Sequence, residues 1–218
     1  GSGEKMLHVL AKKYGLQLPG DLTSAYLGSE QPFPFDHWGH RHSHSIPSSA
    51  YRPMNIAQCR ELAASGLIEF GAHTHTHEDF RNRPRAFRED LEANLLALHE
   101  MFGRSDVTFA FPYGTPRLGF VDESLATEAR KAGVQCALTT RSSLVKPGDS
   151  PFTWGRFTVF PWDNSKTLAA KLGGWYGWAP ELKNRLLGRS TGGVASGEWQ
   201  VASGHAVRPH VTRPTISV

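Results

Sequence analysis

The chain has 218 residues, a formal net charge of +4, 39% hydrophobic residues and 20% charged residues. That length suits one domain with a sizeable core, and the composition excludes a chain disordered throughout. Lys and Arg are scattered singly, which speaks against a nucleic-acid partner or an anionic membrane surface, and no stretch approaches the ~18 apolar residues of a membrane span. Gly1-Ser2-Gly3 reads as a cloning scar, so any native leader would be gone, and localisation and oligomeric state are not legible. Cys59 and Cys136 sit among apolar residues and read as small buried hydrophobes rather than a disulfide.

Met6 to Tyr14 has a helical rhythm that Gly15 stops. From Leu16 to Pro53 no period holds, and Pro32, Pro34, Pro47 and Pro53 mark a long surface loop. Asn55 and Gln58 form a capping-box pattern for a helix with Ile56, Cys59, Leu62 and Ala63 on one face, ended by Gly66. Leu67 to Phe70 reads as a strand. Pro84 opens a helix whose Phe87, Leu91, Leu95, Leu98 and Phe102 fall on one stripe facing a sheet. Val107 to Phe111 is a strand, broken by Pro112-Tyr113-Gly114. Asp122 caps a helix through Lys131, with Gly133 just beyond. Val134 to Thr139 and Arg156 to Phe160 are two further strands, and Ser165 to Leu172 a further helix. Helix and strand alternate at the spacing of βα units, which implies a mainly parallel sheet covered by helices. The tail 188–218 has no clear period and stays unassigned.

Histidines cluster twice, at His37 to His44 and in His73-Thr74-His75-Thr76-His77. The second group directly follows a strand, where α/β folds place ligand-binding loops, and imidazoles gathered in a tight turn can reach one zinc-like ion. His40 to His44 alternates as a strand would, although a flexible loop explains it as well. Phe111-Pro112-Tyr113-Gly114 turns the chain at the next strand end and exposes an amide donor suited to an oxyanion.

Taken together, Glu69 to His77 resembles the second motif of the NodB-homology polysaccharide deacetylases, and Phe111 to Gly114 resembles their third. The resemblance runs from about residue 53 to 163, within a deacetylase-like domain expected over residues 4–187, and Pro32 to Asp36 is similar to a loop of some members. It implies a distorted (β/α) barrel, possibly incomplete, that uses a divalent metal ion, zinc foremost, to hydrolyse N- or O-linked acetyl groups on a carbohydrate. It implies His73 and His77 as metal ligands, the backbone amide of Tyr113 at the oxyanion, Pro112 and Tyr113 beside the substrate, and Arg156 near the site.

The departures are equally specific. The family's Thr-Phe-Asp-Asp-Gly motif, source of its base and third metal ligand, has no counterpart here, since no Asp-Asp pair occurs in the chain. The Leu-x-His motif is not recognisable after Trp162, and Ala110 stands where an arginine is usual. Asp36 is the nearest stand-in for the missing carboxylate, against an ordinary turn-forming role. Trp175, with Tyr176 and Trp178, could stack on sugar rings or serve packing. Two other readings stay open: an amidohydrolase-like enzyme using His73 and His75, and a carbohydrate-binding or interaction module that has lost its base.

Overall fold

The computed structural model describes residues 18–159 and 162–175. Four strands, β1 (Leu18–Leu22), β2 (Ile68–Ala72), β3 (Phe109–Ala110) and β4 (Ala137–Leu138), form one parallel sheet in that order. Parallel neighbours need crossovers, and helices supply them: α1 (His37–His42) and α2 (Ile56–Ala64) before β2, α3 (Pro84–Phe102) before β3, and α4 (Glu123–Lys131) before β4. A fifth helix, α5 (Ser165–Leu172), follows.

The helix termini behave as their residues require. Asn55 and Gln58 exchange both capping-box hydrogen bonds at 2.9 Å, Asp122 accepts from Leu125 N at 2.9 Å, and α3 begins with Pro84 at its first turn. Gly103 ends α3 at φ 68°, a left-handed conformation that costs glycine little.

Strand alternation sorts the sheet into two faces. Leu22, Phe70, Ala72, Phe109 and Ala137 join the buried cluster with Phe87, Leu91 and Leu98 of α3 and Leu125, Ala126 and Ala129 of α4. Asp21 and Gly71, paired in register, turn to the other face. Trp154 bridges to Leu138 in parallel on the far side of β4. On a flat sheet that position lies four steps from β1, about 19 Å at ~4.8 Å per step. Yet Arg156 Nη1 touches Asp21 Oδ2 at 2.8 Å. The sheet therefore curls, and its inner face carries Asp21 and Arg156.

Several expectations need correction. The segment 16–53 is not one long loop: it contains β1, α1 and two short 3-10 turns. Pro19 and Gly20 hid the strand, but β1 is the sheet edge among the described residues, where a proline is tolerated. His40 and His42 lie on helix α1 rather than on a strand, because Asp36 caps its start. Residues 156–159 are irregular, so the expected strand from Arg156 reduces to the Trp154 bridge. The fully buried positions of α3 are Phe87, Leu91, Asn94 and Leu98, with Leu95 only partly buried against the core. Cys59 and Cys136 are buried and free, as expected. The expected helix at Met6 to Tyr14, both ends of the 4–187 domain, Tyr176, Trp178 and the tail lie outside the described residues.

Leu91 is fully buried, so Leu91→Ala is expected to lower unfolding free energy by ~2–5 kcal/mol. Leu95→Ala should cost distinctly less. Denaturant titration of both variants checks the assignment, and equal losses would show that the helix packs in another phase.

Candidate functional site

The site is built where β2 and β3 end side by side. His73 and His77 lie with ring centroids 4.8 Å apart. His73 Nδ1 sits 2.7 Å from the carbonyl oxygen of Ala110, which can only accept, so Nδ1 holds the proton and Nε2 keeps its lone pair. Burial is the main force lowering the His73 pKa to about 4, with the nearby Arg156 charge adding to it. Burial likewise lowers His77 to about 4, with His73 second among the causes. Both rings are therefore neutral at pH 7, the form in which imidazole binds metal ions. His77 Nδ1 is buried with no hydrogen-bond partner among the described residues. Such an orphaned nitrogen beside a second neutral imidazole suits a cation.

The chain reaches this arrangement through a strained turn. Thr74 has φ 63° and His77 φ 58°, left-handed values that a β-branched residue rarely adopts. Thr74 is fully buried, and its Oγ1 accepts the His77 N–H at 3.1 Å. The segment after β1 holds the turn's oxygens: Thr23 Oγ1 donates to His73 O at 3.2 Å, Ala25 N to His75 O at 2.9 Å, and Tyr26 Oη to Thr76 O at 3.0 Å. Phe35 stacks on His77 at 4.1 Å between centroids, and Tyr113 meets the same ring at 5.0 Å.

The Pro112-Tyr113-Gly114 turn faces the pair. Tyr113 adopts φ 60°, and Gly114 φ 56° where a Cβ would lie 3.0–3.2 Å from Thr140 and the Phe111 carbonyl. Thr140 fixes the turn by donating its N–H to Gly114 O at 2.8 Å and its hydroxyl to the same oxygen at 3.0 Å. Pro112 is buried beneath the turn, and the Tyr113 side chain is exposed. An open polar cleft lined by Asp79, Arg81, Asn82 and Asp122 lies nearby, linked to Tyr113 through Phe120, over which Arg81 is placed.

The sequence-derived candidates divide clearly. His73, His77, Tyr113 and Pro112 come together. Arg156 also lies close enough for its charge to act on His73. Asp36 does not join them as a ligand: its Oδ1 accepts Gly39 N at 2.8 Å as the cap of α1. Among the described residues no group of three His, Cys, Asp or Glu could hold a metal ion, so two imidazoles are the whole set found there. His75 turns elsewhere, its Nδ1 2.9 Å from Ser24 Oγ. Trp175 is exposed just past α5.

Two kinds of residue escaped the sequence reading. Asp21 was hidden in the segment taken for a loop, yet it is mostly buried and paired with Arg156 across 135 positions. Burial raises its carboxyl pKa, and Arg156 offsets part of that effect. Asp90 and Asn94 of α3 bind the backbone of the His turn. The signal for Asn94 was present: an amide stands within an otherwise apolar helical stripe.

Comparison with known proteins agrees with this geometry. The fold is shared with solved deacetylases: IcaB from Ammonifex degensii (25% identity, TM-score 0.55, covering 72% of this chain and 61% of that one) and Streptococcus pyogenes deacetylase PplD (14%, 0.56, 75% and 62%). A de-N-acetylase from Aggregatibacter actinomycetemcomitans aligns similarly (16% identity, TM-score 0.56, 77% and 69%). Residues 37–137 match the sequence profile described as Polysaccharide deacetylase. No curated protein matches the chain. The chain spans about three fifths of the length of IcaB and of PplD.

The Asp21–Arg156 pair generates a pH-dependent expectation. Arg156→Met leaves a buried carboxylate without its partner, so stability at pH 7 should fall by roughly 1–3 kcal/mol, a range discounted for the water that reaches Arg156. The Asp21 pKa is raised in the folded state, so the cost is present at neutral pH and disappears as pH falls below that folded value. Urea unfolding at pH 7 and pH 5 should therefore show a smaller deficit at pH 5. A deficit that grows on acidification would contradict this assignment.

Proposed function

We propose that the chain carries the centre of a metal-dependent carbohydrate deacetylase, acting on N- or O-linked acetyl groups. The observation that carries this reading is the pair of buried, neutral imidazoles, His73 and His77, at the strand-end turn of a polysaccharide deacetylase fold. These two side chains would hold a divalent ion, zinc foremost. When bound, such an ion supplies Lewis acidity toward an acyl carbonyl and makes a water more acidic.

The chain's own residues do the rest. The Ala110 carbonyl keeps the His73 proton on Nδ1, which leaves Nε2 directed to ligand binding. The Tyr113 amide, in a turn clamped by Thr140, offers a preorganised donor to the developing oxyanion. The exposed Tyr113 ring and the buried Pro112 form the wall against which the sugar would lie. Asp21 is the inner-face carboxylate available as a base, with Arg156 favouring its ionised form.

A second reading draws on a specific observation, the lack of a third ligand among the described residues. It makes the chain a sugar-binding module with a weakened centre. General acid–base groups each contribute about 10²–10⁴-fold, so loss of base and acid would leave little turnover. With so incomplete a set, the chain is expected to release acetate slowly or not at all.

Replacing His73 or His77 by Ala should weaken zinc binding at least tenfold by calorimetry, while His75→Ala should do much less. Equal losses at all three positions would favour the pairing of His73 with His75 instead. Acetate release from chito-oligosaccharides, with zinc or cobalt added, separates the two main readings. Robust turnover lost in the double His73→Ala, His77→Ala variant would support an active deacetylase, and its loss in Asp21→Asn would assign the base. Zinc and sugar binding without release would support the module.

A further inference from the structure

The geometry points to Asp90 and Asn94, one turn apart on α3, as positioning residues that hold turn 73–77 in the shape that brings His73 and His77 together. The inference rests on the metal-site reading above for its consequence, though not for its geometry. It begins with an accounting of the turn's backbone. The oxygens of His73, His75 and Thr76 are taken by Thr23, Ala25 and Tyr26, and the His77 N–H by Thr74. Three further N–H groups of the turn, those of His73, His75 and Thr76, are accepted by side chains of α3.

Asp90 Oδ1 receives His75 N at 2.6 Å and Thr76 N at 3.1 Å, while Oδ2 receives the Thr76 hydroxyl at 2.7 Å. Asn94 Oδ1 receives His73 N at 3.1 Å, a proton that also points to Leu22 O at 3.2 Å. The Asn94 amide then donates to Leu22 O at 3.0 Å and to Ser24 Oγ at 2.7 Å. Asn94 is fully buried in a position that would otherwise favour an apolar side chain. Its polarity there is fully used, tying β1, the turn and α3 at one point.

The arrangement explains how left-handed Thr74 and His77 persist. Such residues are strained unless their surroundings fix them. A carboxylate that accepts three hydrogen bonds from two consecutive residues leaves the turn no alternative path. The hydrogen bonds of Asp90 go to the backbone of His75 and Thr76 and to the Thr76 hydroxyl, so it acts on the imidazoles as a positioning residue.

The test uses the whole chain and zinc alone as probe. Asp90→Ala should speed amide hydrogen exchange at His75 and Thr76 at least tenfold in metal-free protein, with the α4 amides unchanged. It should also weaken zinc binding about tenfold, within the range for residues behind metal ligands. Asp90→Asn keeps the Oδ1 acceptor and can donate to the Thr76 hydroxyl, so both readouts should return to within about threefold of wild type. Wild-type exchange at His75 and Thr76 in Asp90→Ala overturns the proposal. So does wild-type zinc affinity in that variant. If the unaltered chain binds no zinc, the metal reading fails and the exchange data alone decide on Asp90. If Asp90→Ala does not fold, Asp90→Ser, which cannot reach the turn as the carboxylate does, carries the same test: faster exchange at His75 and Thr76 supports the bracket, and unchanged exchange removes it.

Discussion

The hydrogen bond from His73 Nδ1 to the Ala110 carbonyl, 2.7 Å long, is the interaction on which the rest of the site depends. It joins the end of β2 to the end of β3, so it exists only when the two strands are in register. Slipping the register by one residue would flip every side chain to the opposite face and carry His73 away from the inner surface. The same bond decides which imidazole nitrogen keeps its lone pair. A single contact thus converts sheet geometry into a chemical property of one side chain.

The inner face is shaped as much by small residues as by functional ones. A Cβ at Gly71 would lie 2.7 Å from Thr108 Oγ1 and 2.9 Å from the Thr108 carbonyl, so no larger residue fits without moving the backbone of the neighbouring segment. Its absence lets the strand approach Thr108 closely, immediately before the His turn. Unlike Gly71, the left-handed residues Thr74, His77 and Tyr113 carry full side chains, and their strain is offset by dense hydrogen bonding around them. The turn is therefore held by hydrogen bonds to its backbone groups rather than by regular secondary structure.

The sequence made some of this legible and hid the rest for definite reasons. Helices α2, α3 and α4 were readable because Asn55, Pro84, Asp122 and their glycine stops report local backbone physics. His73, His77 and the Pro112-Tyr113-Gly114 turn were readable because their motifs lie within short stretches of chain. Strand β1 was not, because Pro19 and Gly20 interrupt its pattern and its stability comes from pairing with β2, some 50 residues away. Leu95 and Asn94 exchanged their expected burial because a buried amide satisfied by β1 and the turn cannot be inferred from apolar period alone. Asp36 was the nearest stand-in for the missing carboxylate because its loop approaches the site in similar proteins, and in the structure its Oδ1 caps the helix that begins beside it.

The contact between Asp21 and Arg156 joins residues 135 positions apart, and its weakness as a force is informative. Closing a flexible loop of that length costs about 4 kcal/mol in chain entropy, whereas a partly exposed ion pair returns about 1 kcal/mol at most. The pair cannot draw the ends of the sheet together. Burial of the Phe87, Phe109 and Leu125 cluster must first fold the helices onto the strands and bend the sheet. Arg156 then finds Asp21 already near. The hydrophobic face thus supplies the free energy that closes the sheet, and the contact between Asp21 and Arg156 on the inner face depends on it.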